Sequence, residues 1–547
     1  MSLKRLLPLA LAIICLMLAA CGSTTPAVTQ QADATAAPTK APAATADEGE
    51  AAEEPAVEEP EGIDISKSVN LVGYLLGDEL VGMSKVMAAL NEKFTADINA
   101  TMEIRYIGWG DMASKYPLVL ASGDLDWIYT APWAYYTQEA QKGAFYPLDT
   151  GMIEKYMPKH FAVLDPVAYD QVTIEINGEK QWFMICTSTP DKATQSFLIR
   201  KDLREKYGVA EFSRISDIEP YLAAIKENEP AMTPMMLDNT YDVKRPFGDQ
   251  MLEQGMVGSD MYGATGSGLN IMYDWRVTTG EVFTLYEEPY RQAAIDTAKI
   301  VKSWYDAGYI NPDVFGNTVR SKESFSQGKS AVAFGNSIDL QSNMATAVDN
   351  GWDIEIIPIL LPDGKAARNA YTQNGVAIAA TTKNVERVLM AMDLLYQDPD
   401  YVMLSYFGIE GENYQMTADG KVGMPEGVTN DTNTYPTDVA GFWFVSKDLQ
   451  PPLESWTDSY IAHREALTDI LINNPMNGFQ TNKDATKTEE ANCINVAMQY
   501  GQPLFIGAVA DVDAAFAEME SKMQAAGFDK IVEEGKRQIA EFVAALK

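Results

Sequence analysis

The order of predicted strands and helices in the first part of the globular chain constrains the fold more than any other feature. An apolar, β-branched stretch at 69–76 predicts a strand, and the spacing of apolar residues over 80–97 predicts a helix. A second strand is predicted at 101–107, a second helix over 109–121, and a third strand at 127–130. This alternation favours a doubly wound parallel sheet, so we expect an α/β fold.

The third predicted strand, Trp-Ile-Tyr-Thr, leads into a loop rich in aromatic residues. Pro132 ends the strand pairing because proline has no N–H to give to a sheet. Trp133, Tyr135 and Tyr136 follow at the carboxyl end of the strand, where ligands bind in open α/β sheets. We therefore expect a surface for a flat, weakly apolar ligand; ordinary core packing of these rings is the alternative.

The N-terminus is typical of an exported protein. Lys4 and Arg5 precede an apolar run at 6–18, which is too short to span a bilayer as a helix. The sequence Leu-Ala-Ala-Cys at 18–21 resembles a bacterial lipoprotein signal, which implies cleavage before Cys21 and lipidation of its thiol. We expect residues 1–20 to be removed and Cys21 to anchor the protein to the outer face of the cell membrane. A plain secretory signal with a chance cysteine is the alternative.

Residues 22–62 have a low-complexity composition rich in Ala, Pro, Thr and Glu. Such a segment cannot bury enough apolar surface to offset its ordering entropy, so we expect a disordered acidic linker. The whole chain has a formal net charge of −35. That charge repels nucleic acid and anionic lipid, and therefore disfavours nucleic acid as a partner.

The residues that commonly bind metals and cofactors are sparse. His160 and His463 are the two histidines, and neither has a second histidine or cysteine at ligand spacing. The sequence Gly-Lys-Ser at 328–330 lacks the first glycine of a phosphate loop. We expect no metal and no cofactor, although calcium near Asp419 stays open. The two cysteines left after export, at 186 and 493, predict either one disulfide or two buried free thiols.

Five short motifs occur in an order that a known family shares. They are Ser-Gly-Asp-Leu-Asp at 122–126, Lys-Gly-Ala-Phe at 142–145, Ile-Arg-Lys-Asp-Leu at 199–203, Gln-Gly-Lys-Ser-Ala-Val at 327–332 and Gly-Val-Ala-Ile at 375–378. Together they resemble the extracellular solute-binding proteins of ABC importers, family 1, the oligosaccharide-binding kind that includes maltose-binding protein. The stretch 406–414 is similar to the LipO-like subgroup of these lipid-anchored proteins, which has an added C-terminal domain.

The resemblance implies a two-lobed periplasmic-binding-protein fold, class II-like, in which each lobe is a doubly wound sheet flanked by helices and a hinge joins the lobes. It assigns residues 63–190 and about 370–410 to lobe I. Lobe II would then hold about 191–369 and 411–547, including the C-terminal extension. The resemblance places the crossings between lobes near 186–193, 358–371 and 407–414.

The implied function is capture without chemistry. An oligosaccharide or other small solute would be enclosed by hinge closure and passed to the membrane permease of an ABC importer, and the protein would be a monomer and not an enzyme. The rival interpretations are a secreted glycoside hydrolase, which needs two carboxylates about 5–9 Å apart, and a carbohydrate-surface lipoprotein. With 77 acidic residues, the sequence alone does not exclude the hydrolase.

The resemblance also implies where ligand could bind. Trp443, in Phe-Trp-Phe at 442–444, matches a stacking tryptophan of the family, and Glu229 matches a binding glutamate. Thr130 and Trp133 fall where the family has a stacking tryptophan and a carboxylate, so specificity for maltose is in doubt. The full set of ligand-binding candidates is Trp443, Trp133, Thr130, Trp109, Tyr135, Glu229, Trp275, Asn336, Gln373 and Asn374. Alternation of side chains predicts that Trp443 faces the cleft if Phe442 and Phe444 face the core.

Overall fold

The structure is a computed structural model that describes residues 64–546, apart from Asn177, 257–258 and 262–268. The predicted signal at 1–20, Cys21 and the linker 22–62 lie outside the described residues. The described residues belong to one compact unit. Within them, no helix combines the length and the apolar character that a membrane span requires.

The described chain contains seventeen strands, many of them short. They are β1 Val69–Leu76, β2 Ala100–Ile107, β3 Trp127–Thr130, β4 Thr173–Ile176, β5 Glu179–Trp182, β6 Met184–Cys186, β7 Gln195–Arg200, β8 Ser259–Asp260, β9 Ile271–Tyr273, β10 Val282–Thr284, β11 Val332–Asn336, β12 Ile354–Pro358, β13 Ala366–Ala367, β14 Gly375–Ile378, β15 Gln415–Met416, β16 Val422–Gly423 and β17 Leu471–Ile472.

Helices connect and cover these strands. The α-helices are Met83–Ile98, Met112–Ser122, Tyr136–Gln141, Thr150–Tyr156, Pro158–Phe161, Val167–Val172, Lys201–Lys206, Glu219–Asn228, Arg245–Glu253, Tyr290–Asp306, Ser321–Ser326, Gln341–Asp349, Val385–Gln397, Pro399–Phe407, Asp458–Ile470, Lys487–Val496, Gln502–Phe505, Val512–Ala525 and Phe528–Ala545. Short 3₁₀ turns occur at Trp109–Asp111, Ile215–Asp217, Tyr371–Gln373 and Lys447–Leu449, and a π-helical turn occurs at Ala497–Gly501.

The first sheet has five strands in the order β2-β1-β3-β14-β6. β1 pairs in parallel with both β2 and β3, as the alternation of strands and helices predicts. β14 arrives from much later in the chain and pairs antiparallel with β3 and β6. The sheet lies in a core built from residues such as Leu71, Phe94 and Leu395. Because β1–β3 are parallel, their carboxyl ends meet at one edge.

The second sheet is small and antiparallel. Its order is β11-β7-β12, with both outer strands antiparallel to β7. One face packs with the helices Tyr290–Asp306, Val512–Ala525 and Phe528–Ala545 in a second core. The fold class inferred from the sequence is therefore confirmed: the described chain forms two α/β halves, each with its own sheet.

Three segments carry the chain between the two halves. Residues 187–194 lead from β6 to β7, and residues 359–374 lead from β12 back to β14. The third crossing lies between Val445, in the first core, and Tyr460, which packs beside the second sheet. Its first part, as far as Leu453, still packs against the first half, where Leu453 pairs with Val422. The predicted third crossing at 407–414 is therefore wrong.

The segment 411–445 stays with the first half, although we assigned it to lobe II. Tyr414, Val422, Tyr435 and Phe444 are all buried in the core of the first sheet. At the start of this segment the side chain of Asn413 accepts a hydrogen bond from the Ile409 amide (2.9 Å), and a tight turn returns the chain to the first core.

The two described cysteines are free. Cys186 is buried in the first core and Cys493 in the second. Burial raises the pKa of the Cys186 thiol to about 12, so this thiol is inert at neutral pH. Of the two alternatives that the sequence leaves open, the structure supports buried free thiols.

Candidate functional site

Three tryptophans meet at the carboxyl edge of the first sheet. Trp109 begins the turn directly after β2, Trp133 follows β3, and Trp443 reaches the same place from a distant loop. The Trp109 ring centroid lies 6.3 Å from that of Trp133 and 5.6 Å from that of Trp443, with interplanar angles of 28° and 23°. We call these three residues and Tyr129 the aromatic platform.

Tyr129 supports the platform from the core. Its fully buried ring lies 5.7 Å from Trp133 and makes an edge contact with Trp443 at 5.4 Å. The outer rings are open to solvent: Trp109 is 47% and Trp133 41% exposed, whereas Trp443 is half-buried. Large apolar rings held at a surface in this way are costly for solubility and mark a binding surface.

The polar atoms of the platform are already hydrogen-bonded within the protein. The Trp133 indole N–H donates to the Gln373 carbonyl (3.0 Å), and the Trp443 indole N–H donates to the Asp438 carbonyl (2.8 Å). The Tyr129 hydroxyl donates to Asn374 Oδ1 (2.6 Å). These bonds fix the ring planes, so Trp133 and Trp443 offer a ligand their ring surfaces and not their N–H donors.

The loop that carries Trp443 is shaped by its neighbours. Phe442 and Phe444 are 2% and 0% exposed, so both pack into the core and Trp443 points the other way, as alternation predicts. Gly441 has a φ of +88°, and a Cβ there would lie 3.1 Å from Leu75 Cβ. Glycine is therefore required for the loop to approach β1 so closely.

Asp438 joins this loop to its surroundings. Its carboxylate accepts a hydrogen bond from the Tyr406 hydroxyl (2.7 Å). Burial raises the pKa of Asp438 to about 6; Lys447 and the Tyr406 hydrogen bond lower that pKa, and Asp339 of the second half raises it. Thr437 and Lys447 line one cleft with Ile338 and Gln341 of the second half, so the platform loop and the second half face each other here.

The second half contributes a polar edge at the ends of its strands. Tyr241 is 45% exposed, and the Arg320 guanidinium lies 4.9 Å from its ring centroid. Arg320 Nη1 and Lys322 Nζ both pair with the Asp339 carboxylate, at 3.1 and 2.5 Å. Burial acts to raise the pKa of Asp339, but the two cations hold it below its ordinary value. We call Tyr241, Arg320, Lys322 and Asp339 the facing edge.

The structure brings five of the ten sequence candidates together. Trp109, Trp133 and Trp443 form the platform, and Gln373 and Asn374 hold two of its rings through hydrogen bonds. Gln373 is exposed, whereas Asn374 is buried and has a supporting role.

Two further candidates from the first half support the loop rather than the surface. Thr130 is fully buried, and its hydroxyl donates to the Ala134 carbonyl (3.1 Å), so the expectation that it contacts ligand is wrong. Tyr135 is half-buried, adopts a left-handed conformation (φ +64°) and packs against Tyr116 at 5.3 Å.

The remaining candidates lie in the second half, and two of them are wrong. Trp275 is 7% exposed and belongs to the second core. Glu229 pairs with Lys206 (3.1 Å) and accepts a hydrogen bond from Tyr207, at the end of β7 that lies farther from the crossings. Asn336 does lie at the near end of β11 and is exposed, but its Oδ1 accepts from the Ile338 and Asp339 amides (3.0 and 2.9 Å).

Sequence reasoning missed the facing edge. The chain after Glu229 runs beside β11, through the bridge Thr233–Ser330, and reaches the near end of the sheet only at Tyr241. The cue was present in Asn-Thr-Tyr-Asp at 239–242, where a tyrosine lies among turn residues.

Metal ligands do not gather in the part of the chain that the structure describes: no three His, Cys, Asp or Glu side chains come together there. Asp419, the residue for which calcium was left open, accepts a hydrogen bond from the Thr417 hydroxyl (2.6 Å) and pairs with Lys421 (2.9 Å). These contacts use the Asp419 carboxylate within its own hairpin turn.

Two α/β halves joined by three crossings, with exposed indoles at the edge of one sheet, form the fold of two-domain solute-binding proteins. Comparison with known proteins identifies relatives. The chain is 25% identical over 480 residues to a carbohydrate ABC transporter substrate-binding protein of Streptococcus pneumoniae serotype 4 (strain ATCC BAA-334 / TIGR4), covering 86% of this chain and 90% of that protein. It is 26% identical over 350 residues to the polygalacturonan/rhamnogalacturonan-binding protein YtcQ of Bacillus subtilis (strain 168), covering 59% and 66%.

Solved structures and a family model agree with these relatives. The N-glycan transport solute binding protein NgtS of Streptococcus pneumoniae superposes with a TM-score of 0.71 at 24% identity, over 88% of this chain and all of that one. Its complex with Man5GlcNAc gives a TM-score of 0.66 at 23% identity, over 88% and 100%. Residues 475–544 match a domain of unknown function, DUF3502. The resemblance drawn from the sequence is confirmed: the chain is a homologue of carbohydrate ABC transporter substrate-binding proteins.

Proposed function

We propose that this protein captures a carbohydrate, in particular an oligosaccharide, on the aromatic platform and delivers it to the permease of an ABC importer. The observation that carries the proposal is the exposure of two near-parallel indoles, Trp109 and Trp133, at the carboxyl edge of the first sheet. The C–H face of a pyranose packs on such rings, because both surfaces are apolar and flat.

The facing edge supports the same proposal. Sugar hydroxyls need fixed donors and acceptors, and Arg320, Asp339 and Asn336 supply both kinds at the ends of the second sheet. Closure of the two halves about the crossings would enclose a sugar between an apolar wall and a polar one. Relatives in this family are substrate-binding proteins and not enzymes, which favours binding without chemistry.

A binding screen tests the proposal. Thermal unfolding and calorimetric titration are measured with a panel that starts from the N-glycan fragment Man5GlcNAc and includes glycans of other backbones. A bound oligosaccharide at a hundredfold excess over its Kd should raise the free energy of unfolding by about 2.7 kcal/mol and be recovered intact. Release of new reducing ends at a steady rate would instead support the hydrolase interpretation, and no stabilisation by any glycan would contradict the proposal.

We also propose that Cys21 is lipidated and holds the protein at the outer face of the cell membrane, with residues 22–62 as the tether. The sequence Leu-Ala-Ala-Cys at 18–21 supports this anchor. The Cys21→Ser variant should leave the membrane fraction and appear in the soluble exported fraction, whereas Cys186→Ser, a change in the core, should fractionate like the wild type. Membrane association of Cys21→Ser equal to that of the wild type would contradict the anchor.

A further inference from the structure

The three crossings are tied to one another through a single residue of the first crossing, Asp191. Its Oδ1 pairs with Lys447 Nζ of the third crossing (3.0 Å). Its Oδ2 accepts a hydrogen bond from Asn374 Nδ2 of the second crossing (2.8 Å), and its backbone carbonyl accepts from Asn369 Nδ2 of the same crossing (2.9 Å). The Asp191 and Lys447 side chains are only 12% and 14% exposed, so solvent screens this ion pair little.

The two partners of Asp191 also hold the aromatic platform. Lys447 Nζ donates to the Trp443 carbonyl (2.6 Å). Asn374 Oδ1 accepts from the hydroxyl of Tyr129, whose ring touches both Trp133 and Trp443. The contacts therefore form a closed network: Asp191 contacts Lys447, Lys447 contacts Trp443, Trp443 contacts Tyr129, and Tyr129 is joined to Asp191 through Asn374.

A second ion pair joins the same crossings without reaching the platform. Asp448 accepts a hydrogen bond from the Thr189 hydroxyl (2.8 Å) and pairs with Lys192 (3.3 Å). The Lys192 and Asp448 side chains are 56% and 48% exposed. Exposed pairs of this kind contribute little to stability, so Asp448 is a matched control for Asp191.

From this geometry we propose that Asp191 and Lys447 are positioning residues that couple the hinge to the aromatic platform. Any change in the angle between the halves moves the first crossing relative to Lys447, which lies in the part of the third crossing that packs on the first half, and the buried pair transmits that movement to Trp443 and Tyr129. The coupling is reciprocal, so a change in the platform also shifts the distribution of hinge angles. The inference concerns the proposed binding site, but its experiment needs no ligand and is decided whether or not the proposed function holds.

The experiment uses the ligand-free protein and two readouts. Tryptophan emission responds to the packing of the platform, which holds three of the nine tryptophans of the chain, and the radius of gyration from small-angle X-ray scattering reports the hinge. We expect Asp191→Asn and Lys447→Met to shift the emission and the radius of gyration, although neither substitution removes an aromatic ring. Asp448→Asn should leave both readouts at their wild-type values. Trp443→Phe should change the radius of gyration, as reciprocity requires.

The double variant Asp191→Asn/Lys447→Met tests whether the two residues act together. Because residues in one network are not additive, the double variant should shift each readout about as far as the larger single variant does. Far-UV circular dichroism establishes that each variant is folded; if Asp191→Asn does not fold, Lys447→Met alone is compared with Asp448→Asn. Emission and radius of gyration in Lys447→Met that match those of Asp448→Asn would overturn the proposal.

Discussion

Substitutions at Trp443 and at its neighbour Phe442 should have different effects, one on ligand binding and the other on stability. The ring of Trp443 is half-buried on the platform, whereas the ring of the adjacent Phe442 is enclosed in the core. Trp443→Ala should weaken oligosaccharide binding by about 1–3 kcal/mol, because aromatic contact area and ring pairing are lost. Phe442→Ala should instead lower the free energy of unfolding by about 3–5 kcal/mol, because it opens a cavity. Calorimetric titration and thermal unfolding of both variants measure these effects. Wild-type affinity in a Trp443→Ala protein would contradict the assignment of the two faces.

The raised pKa of Asp438 predicts how the free energy of unfolding depends on pH. The pKa of Asp438 is about 6 in the folded protein, chiefly because of burial, and lower in the unfolded chain. Between about pH 4 and pH 6 the folded protein therefore keeps a proton that the unfolded chain has lost, and this group makes the free energy of unfolding fall as pH rises. Asp438→Asn removes that dependence. As pH rises from 4.5 to 7.5, the free energy of unfolding of the variant should increase by up to about 2 kcal/mol relative to that of the wild type.

Urea titrations of both proteins at these two pH values measure the difference. Asparagine can still accept the hydrogen bond from Tyr406, so the substitution removes the titrating group and keeps this contact. Asp419→Asn is the control. Hydrogen bonds from Thr417 and Lys421 lower the pKa of Asp419 to about 2, so the contribution of this carboxylate is lost only as pH falls below its ordinary pKa. The Asp419→Asn variant should therefore show the wild-type difference between pH 4.5 and pH 7.5. Equal pH dependence in the wild type and Asp438→Asn would show that Asp438 does not carry this contribution.

Among the elements, β14 shows how closely the first sheet is packed. Gly375 lies between β3 and β6, and a Cβ at this position would collide with the Met184 side chain and the Ile185 carbonyl. Backbone atoms cannot move aside as a side chain can, so Gly375→Ala should lower the free energy of unfolding by about 1–3 kcal/mol.

Gly248 provides the matched control for this prediction. It is exposed in the helix Arg245–Glu253, and nothing lies within 4 Å of a Cβ added there. Gly248→Ala should stabilise the protein by up to about 1 kcal/mol, because alanine favours the helix. Chemical denaturation of both variants compares the two sites, and a Gly375→Ala protein as stable as the wild type would contradict the packing described for β14.

Local patterns in the sequence predict these elements well. β1 and β3 have the predicted ends, and β2 begins one residue earlier than predicted. These elements follow from apolar periodicity and from proline or glycine at their ends, which act within a few residues. The platform was only partly predictable. Trp109 and Trp133 follow predicted strands, but no neighbouring residue in the sequence indicates that the Asp438 carbonyl holds Trp443. The contact of Tyr129 with both Trp133 and Trp443 has no local signal either.

At the scale of the whole molecule, a burial pattern indicates that a residue is enclosed but does not say which core encloses it. Tyr435 and Phe444 read as buried residues, yet only the three-dimensional structure assigns them to the first core and moves the third crossing to the chain after Val445. The prediction that Glu229 binds ligand was wrong for the same reason, because position along a family motif does not fix which end of a strand a residue occupies. Long-range pairing decides both points, and the sequence carries no local signal for it.

Charge across the whole molecule predicts which oligosaccharides bind. The chain has a net charge of −35, and the cations beside the site, Lys447, Arg320 and Lys322, each pair with a carboxylate. Uronic acid units would therefore meet an acidic protein whose named cations are already neutralised. We expect an oligogalacturonate to bind about tenfold more weakly than its carboxyl-reduced, neutral form of the same length, a difference of about 1.4 kcal/mol.

Calorimetric titration of both oligosaccharides at low and high salt measures this preference. The difference between the two affinities should become smaller at high salt, because salt screens the repulsion. Asp339→Asn provides the sharper test, because it removes the carboxylate that Arg320 and Lys322 share. In that variant Lys322 loses the carboxylate it pairs with, and Arg320 keeps only the longer contact with Asp242 (4.0 Å), so the affinity for the oligogalacturonate should rise relative to that for the neutral form. Tighter binding of the oligogalacturonate than of its neutral form by the wild type at low salt would contradict the prediction, because it would require a positive charge at the site that no carboxylate neutralises.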